Sequence, residues 1–164
     1  MSRRTHPHDP YISNCKLSSF LIFLSRRRTP VLLRLYSAYL NCDLGTPLPE
    51  SVFLPHPFGI VMSSGVELGE NVVIGHQVTI GNRNGVVAVP KIGNRVYIGA
   101  GAKIFGAIRI GDDAVIGANA VITRDVPPGS IVVGANRILE AVNPKAGNSR
   151  PNQTGLQDLS NQTA

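Results

Sequence analysis

A strict six-residue rhythm limits what this chain can fold into. Stepping back by sixes from Ile122 gives Ile116, Ile110, Ile104, Ile98, Ile92, Val86, Ile80, Ile74, Leu68 and Met62. The hexads LGENVV, IGHQVT, IGNRVY, IGAGAK, IFGAIR, IGDDAV and IGANAV each open on Leu or Ile, usually followed by Gly. Four places after that opening residue stands Val72, Val78, Val96, Ala102, Ile108, Ala114 or Ala120. Neither the helical period of about 3.6 nor the strand period of about 2 returns a glycine every sixth residue. A short strand followed by a sharp turn does, with the aliphatic residue inward, glycine at the bend and the small residue in the corner.

Three such faces close a coil of eighteen residues, with coils rising by about 4.8 Å, one strand spacing. The fold expected is an all-β solenoid, a parallel β-helix of triangular section. Aliphatic residues eighteen apart are expected to stack, as Ile74, Ile92 and Ile110, or Ile80, Ile98 and Ile116.

The rhythm breaks in IGNRNGVVAVPK, where Asn84 and Pro90 occupy the small positions and Val87 replaces glycine. NRNG is turn chemistry, and Pro90 has no N–H to give a ladder. Residues 82–90 read as a loop leaving one coil, the alternative being an irregular coil that keeps register. Loops on rigid scaffolds tend to carry function, and this one follows His76 closely.

Ahead of the coils, YISNCKLSSFLIFLSRRRTPVLLRLYSAYLN predicts two helical pieces broken near Thr29-Pro30. They are expected to cover the open end of the solenoid, which would otherwise expose unpaired strand edges. The double proline in RDVPPGSIVVGANRIL ends the repeat, and the polar tail after it predicts disorder. The chain thus divides into a basic arm and helical cap over 1–42, a β-helix over 43–142 and a polar tail over 143–164.

Charge sorts the candidate partners. Residues 1–40 hold seven Lys/Arg against Asp9 alone, whereas the remaining residues hold nine of each sign. A neutral body argues against a nucleic-acid groove, which needs a basic stripe on the fold itself. The basic arm is either solvated or in contact with an acidic membrane surface. Cys15 and Cys42 form neither a CxxC pair nor a disulfide framework. KLSSFLIFLS is too short to span a bilayer and SRRR follows it without a cleavage signal, so the expected location is cytoplasmic, with possible contact at the inner membrane face.

One more step of six before Met62 reaches His56, between Pro55 and Pro57. Those prolines remove two backbone donors and hold the chain out of regular strand geometry, which lets the imidazole leave the core position. The alternative is an inert histidine capping the first coil. His76 reads either as a pocket residue or as an outward polar residue between Ile74 and Val78.

Between about Asp43 and Arg137, the pieces HPFGIV, HQVTIGN, PKIGNRVYIGAGAKIFG and IGANAVITRDVPPGSIVVG follow in order. In this the chain resembles the hexapeptide-repeat acyltransferases, in particular the serine acetyltransferases and related O-acetyltransferases of polysaccharide biosynthesis. The resemblance implies a left-handed β-helix, a homotrimer and active sites shared between neighbouring subunits. It implies acetyl-CoA as co-substrate, with no metal, and His56 as general base. CDLGTP resembles a VDIHP-like segment, which nominates Asp43 to orient His56; Glu67 is a weaker candidate. His76 resembles the histidine of LHGVTLGG and is assigned with Arg83 to the acceptor site. Ala100 and Ala118, eighteen apart, are expected to let the pantetheine arm lie against backbone amides, with Thr123, Arg124 and Arg137 completing the CoA site.

The acceptor segment departs from that family. Pro55 stands where serine acetyltransferases carry an aspartate, and VAVPKI where they carry DRHPKI. The charged groups that would hold serine are missing, which shifts the expected acceptor toward a sugar or glycan-precursor hydroxyl. Two rivals stand beside this reading. A zinc enzyme of the γ-carbonic anhydrase type needs three histidines, whereas the coils hold His56 and His76. A non-catalytic β-helix scaffold needs none.

Overall fold

The computed structural model describes residues 14–27, 30–83 and 88–141. The basic arm up to residue 13, positions 84–87 of the expected loop and the tail 143–164 lie outside the described residues.

Two helices, α1 (Lys16–Arg27) and α2 (Pro30–Tyr39), precede a succession of very short strands. Proline at the first turn of α2 costs nothing, because its missing N–H would have no intrahelical acceptor there. The chain then visits three sheets in turn. The first face stacks β1 (Asp43–Leu44), β2 (Val61–Met62), β5 (Thr79–Gly81), β8 (Lys103–Phe105) and β11 (Val121–Ile122). The second stacks β4 (Val73–Ile74), β7 (Tyr97–Ile98), β10 (Val115–Ile116) and β12 (Ser130–Val133), closed by β13 (Arg137–Ala141). The third stacks β3 (Glu67–Leu68), β6 (Lys91–Ile92) and β9 (Arg109–Ile110). Every pairing is parallel except β12 with β13, so each face is built from successive passes of one winding chain.

The core is aliphatic, as the hexads require. Val72, Ile74, Val78, Ile80, Val96, Ile98, Ala102, Ile104, Ile116 and Ile122 are buried. Of the stacks expected at a spacing of eighteen, Ile92 on Ile110 and Ile98 on Ile116 form, whereas Ile74 on Ile92 and Ile80 on Ile98 do not. Ile98 lies over Ile74 and under Ile116, and Ile104 lies between Ile80 and Ile122. Ile92 pairs with Leu68 and Ile110. Between Ile80 and Ile92 the chain is one hexad longer than a single face needs, so contacts across it are twenty-four residues apart and every later aliphatic residue moves by one face. The spacing is eighteen between Met62 and Ile80 before it, and from β6 to β9, β7 to β10 and β8 to β11 after it.

The bend also falls elsewhere than expected. Asn71, Gln77, Arg95, Gly101, Asp113 and Asn119, the fourth residue of every hexad but IFGAIR, hold the left-handed backbone, with φ between 55° and 71°. The glycine at the second position answers a different need. A Cβ on Gly99 would sit 2.6 Å from the Ala118 nitrogen, closer than real side chains come, so the neighbouring coil excludes one.

At the open end, the helical segment is tied to the first coil through its edge groups. The Asn14 side chain donates to the Val52 carbonyl and accepts from the Leu54 N–H, both at 2.8 Å. Ser18 Oγ donates to the Leu54 carbonyl. Leu21 and Ile22 of α1 join the same apolar cluster as the coils. An edge that would otherwise present unpaired backbone to another chain is thereby covered.

Candidate functional site

The three corners of the prism are lined differently. Between the third and second faces, Asn94 Oδ1 accepts from Glu70 N at 2.9 Å and Asp112 Oδ1 accepts from Asn94 N at 2.8 Å. A ladder of short polar side chains thus ties coil to coil. Between the second and first faces the corner residues are His56, His76, Ala100 and Ala118, coil after coil. The register follows from the pairing of Phe53 with Val73 and from Asn119 N donating to the Ala100 carbonyl at 2.8 Å. No side-chain ladder runs along this edge among the described residues.

His56 does not occupy the aliphatic slot that counting by sixes assigns to it. Leu54 does, buried at 1% exposure, while His56 is exposed on the turn. From Leu54 to the next inward residue of the first face, Met62, the chain takes eight steps, against six from Ile74 to Ile80. Two extra residues enlarge the corner. Phe58 N donates back to the His56 carbonyl at 2.9 Å, and Gly59 enters the left-handed region with φ 66°. Leu54 lies in register with Ile74, and His56 and His76, each two residues further on, meet with ring centroids 6.1 Å apart and planes inclined by 73°. Neither imidazole enters a hydrogen bond or ion pair among the described residues.

Two residues that sequence reasoning passed over hold this corner in place. Cys42 Sγ, buried, lies 3.3 Å from the Pro57 carbonyl and accepts from Ile60 N at 3.4 Å. Burial pushes its thiol pKa up, which keeps the proton on sulfur for that donation. Lys103 Nζ donates to the Gln77 carbonyl at 2.8 Å and to Thr79 Oγ1 at 3.0 Å, which fixes the turn that follows His76. Nothing in the periodicity singles out either residue, because both act through contacts between coils.

The remaining expected residues fall in separate places. Asp43 lies on the outer side of the first face beside Val61, exposed, while Leu44 turns inward. Among the described residues no hydrogen bond or ion pair joins Asp43 to His56. Glu67 is paired with Lys91 Nζ at 2.7 Å on the third face, a solvated pair away from the histidines. Arg83 is exposed and follows β5, so it stands at the far edge of the first face from His76. Thr123 and Arg124 follow β11 at that same far edge. Thr123 is engaged by Asn136, whose Oδ1 accepts from Thr123 N at 2.7 Å and whose Nδ2 donates to Thr123 Oγ1 at 2.9 Å. Arg137 is exposed in β13, opposite Val133. Within one chain the histidines and the two alanines therefore share an edge, whereas Arg83, Thr123 and Arg124 line another. Among the described residues no three His, Cys, Asp or Glu side chains gather as a metal site.

Comparisons with known proteins find similarity to hexapeptide-repeat transferases and to serine acetyltransferases. Residues 90–124 match the family described as bacterial transferase hexapeptide (six repeats). The chain is 42% identical over 93 residues to a serine acetyltransferase of Mycobacterium tuberculosis, covering 55% of this chain and 40% of that protein. It is similar to the crystal structure of Neisseria gonorrhoeae serine acetyltransferase in complex with serine, with TM-score 0.54 and 38% identity, over 70% of this chain and 49% of that one. It is also similar to the Brucella abortus enzyme in complex with coenzyme A, with TM-score 0.60 and 29% identity, over 75% and 53%. The chain spans about half the length of these relatives or less.

Proposed function

For a hexapeptide-repeat chain that resembles serine acetyltransferases, we propose an O-acetyltransferase that moves an acetyl group from acetyl-CoA to an acceptor hydroxyl. One observation carries this reading. Two exposed imidazoles, held face to edge and free of hydrogen bonds among the described residues, stand at the head of the His56, His76, Ala100, Ala118 edge. Small residues continue that edge, so an extended donor has room to lie along it.

In this reading neutral His56 takes the proton of the acceptor hydroxyl as its oxygen attacks the thioester carbonyl. A backbone N–H stabilises the tetrahedral oxyanion, the C–S bond breaks, and the imidazolium returns its proton to the departing thiolate. No covalent enzyme intermediate forms and no metal takes part. His76 contacts the acceptor. The amides of Ala100 and Ala118 give no hydrogen bond within the described chain, which leaves them open to the carbonyls of the pantetheine arm.

The hand of the β-helix is left, and three chains assemble about one axis, as the resemblance implies. A trimer supplies what one chain separates: Arg83, Thr123 and Arg124 at one edge of a protomer come to face the histidine edge of its neighbour. Asp43 orients His56 only in the assembled site, and Arg137 pairs with CoA phosphate at the end of the edge. Acetyl-CoA as donor places the reaction in the cytoplasm.

The acceptor is an uncharged hydroxyl compound, a sugar or glycan precursor, in preference to L-serine. Pro55, Ala88 and Val89 offer no charge to an ammonium or carboxylate. The test is thiol release from acetyl-CoA by the full chain with L-serine and with a panel of sugars in parallel. Release with sugars and not with serine is expected. Preference for serine would overturn the acceptor assignment, and no release with any hydroxyl would favour a non-catalytic scaffold.

A further inference from the structure

The helical segment carries a surface that the acyl-transfer reading does not use. On α1, Ser18, Leu21, Ile22 and Ser25 face inward and are buried. The opposite side presents Leu17, Phe20 and Phe23, the last 49% exposed. On α2, Ser37 is buried, as is Leu40 just beyond its end, while Leu32, Leu35 and Tyr39 are 55%, 66% and 74% exposed. The spacing of 32, 35 and 39 gives one stripe of that helix.

The two stripes meet. Phe20 and Tyr36 pack edge to face with centroids 4.9 Å apart, and Phe23 and Tyr39 extend the aromatic row on either side. Arg27 lies over the Phe23 ring at 5.0 Å. A groove of about 550 Å³ opens beside this row, with Ile22 and Phe23 against it and Arg26, Arg27 and Glu50 at its rim. Arg26 is paired with Glu50 there.

Exposed apolar and aromatic side chains gathered on one face of a folded chain mark an interaction site. Its charge says with what. Residues 16–39 contain Lys16, Arg26, Arg27, Arg28 and Arg34 and not one Asp or Glu. Beside the hairpin Glu50 pairs with Arg26 alone, so a second copy meeting this face with its own would bring cations against cations with one acid on each side to answer them. An anionic lipid surface has the complementary sign, takes apolar and aromatic side chains at the headgroup boundary, and accepts a helix lying in its plane. Among the described residues no helix is long and apolar enough to cross a membrane.

We propose that the exposed face of the α1–α2 hairpin docks this protein onto an anionic bilayer surface, with Phe20, Phe23, Leu32, Leu35 and Tyr39 inserted and Arg27 and Arg34 at the headgroups. The docking is independent of which hydroxyl the corner site acetylates.

Co-sedimentation of the full chain with vesicles tests this, using phosphatidylcholine alone and phosphatidylcholine mixed with phosphatidylglycerol. Binding is expected to the mixed vesicles and to weaken as salt is raised. The exposed-site variants L32Q/L35Q and R27Q/R34Q should each lower it by about tenfold or more, with an unchanged circular dichroism spectrum. R3Q/R4Q, altering the arm outside the described residues, should bind like the parent. Three results would overturn the proposal: equal recovery with and without the anionic lipid, insensitivity to both hairpin variants, or loss confined to R3Q/R4Q. A smaller assembly on light scattering for L32Q/L35Q without vesicles would also overturn it, because copies of the chain would then cover the face.

Discussion

His56 and His76 meet edge to face across adjacent coils, 6.1 Å between ring centroids, although twenty residues separate them in a chain whose coil is eighteen. The surplus is the widened turn between Leu54 and Met62. It lies after His56, so each imidazole keeps its place two residues beyond an inward aliphatic residue, Leu54 or Ile74. On the proposed mechanism the two rings have distinct duties. His56→Gln should lower kcat by about 10²–10⁴-fold, the usual worth of a general base. His76→Gln should raise KM for the acceptor more than it lowers kcat. Both rings are exposed, so neither change should move the melting temperature by much. Full turnover in the His56 variant would remove it as the base.

The observed stacking makes a prediction about energetic coupling. Ile98 is fully buried between Ile74 and Ile116, so Ile98→Ala should cost about 2–5 kcal/mol by transfer and cavity terms together. In double-mutant cycles by urea unfolding, Ile98 should couple to Ile74 by about 0.5 kcal/mol or more and to Ile80 by less. Stronger coupling to Ile80 would restore the register that counting by eighteens implies.

Asn14 closes the exposed edge of the first coil with two 2.8 Å hydrogen bonds to one strand. Asn14→Ala leaves the Val52 carbonyl and Leu54 N–H without that partner, at a cost of about 1–3 kcal/mol. Hydrogen exchange at Leu54 should accelerate before that at Ile98. Uniform acceleration would mean that the end and the centre open as one unit.

Cys42 links pH to stability. Burial raises its pKa above the ordinary 9.0, so the folded chain keeps a proton that the unfolded chain releases in alkaline solution. The folded state then holds more protons, and stability must fall as pH rises beyond about 9. Cys42→Ser should flatten that fall, whereas Cys15→Ser, at an exposed position, should leave it in place. Iodoacetamide at neutral pH should label Cys15 and spare Cys42, because thiolate and access are both needed. Rapid labelling of Cys42 in the folded protein would contradict its burial.

Much of the architecture was legible from the hexads, because a period of six has few physical solutions. Inward Ile74, Ile80, Ile98, Ile104 and Ile116 follow from counting, and so does the break around 82–90. What counting misjudged was local. Glycine was credited with the bend, yet residues such as Asn71, Gln77 and Arg95 adopt the left-handed backbone, while Gly99 makes room for the next coil. Cys42 and Lys103 left no periodic trace, since their hydrogen-bond partners lie in other coils.

By itself the sequence determined the repeating unit, the inward residue of each unit and the break in the rhythm. Hydrophobic side chains at a fixed interval must share an interior, whatever the winding. Only the tertiary structure decided which of those residues touch. An insertion that adds length but no face rotates every later contact by one side of the prism, and a corner lengthened by two residues takes the first imidazole out of the inward slot that counting by sixes gives it. Both are sums along the whole coil, and no local pattern of residues carries them.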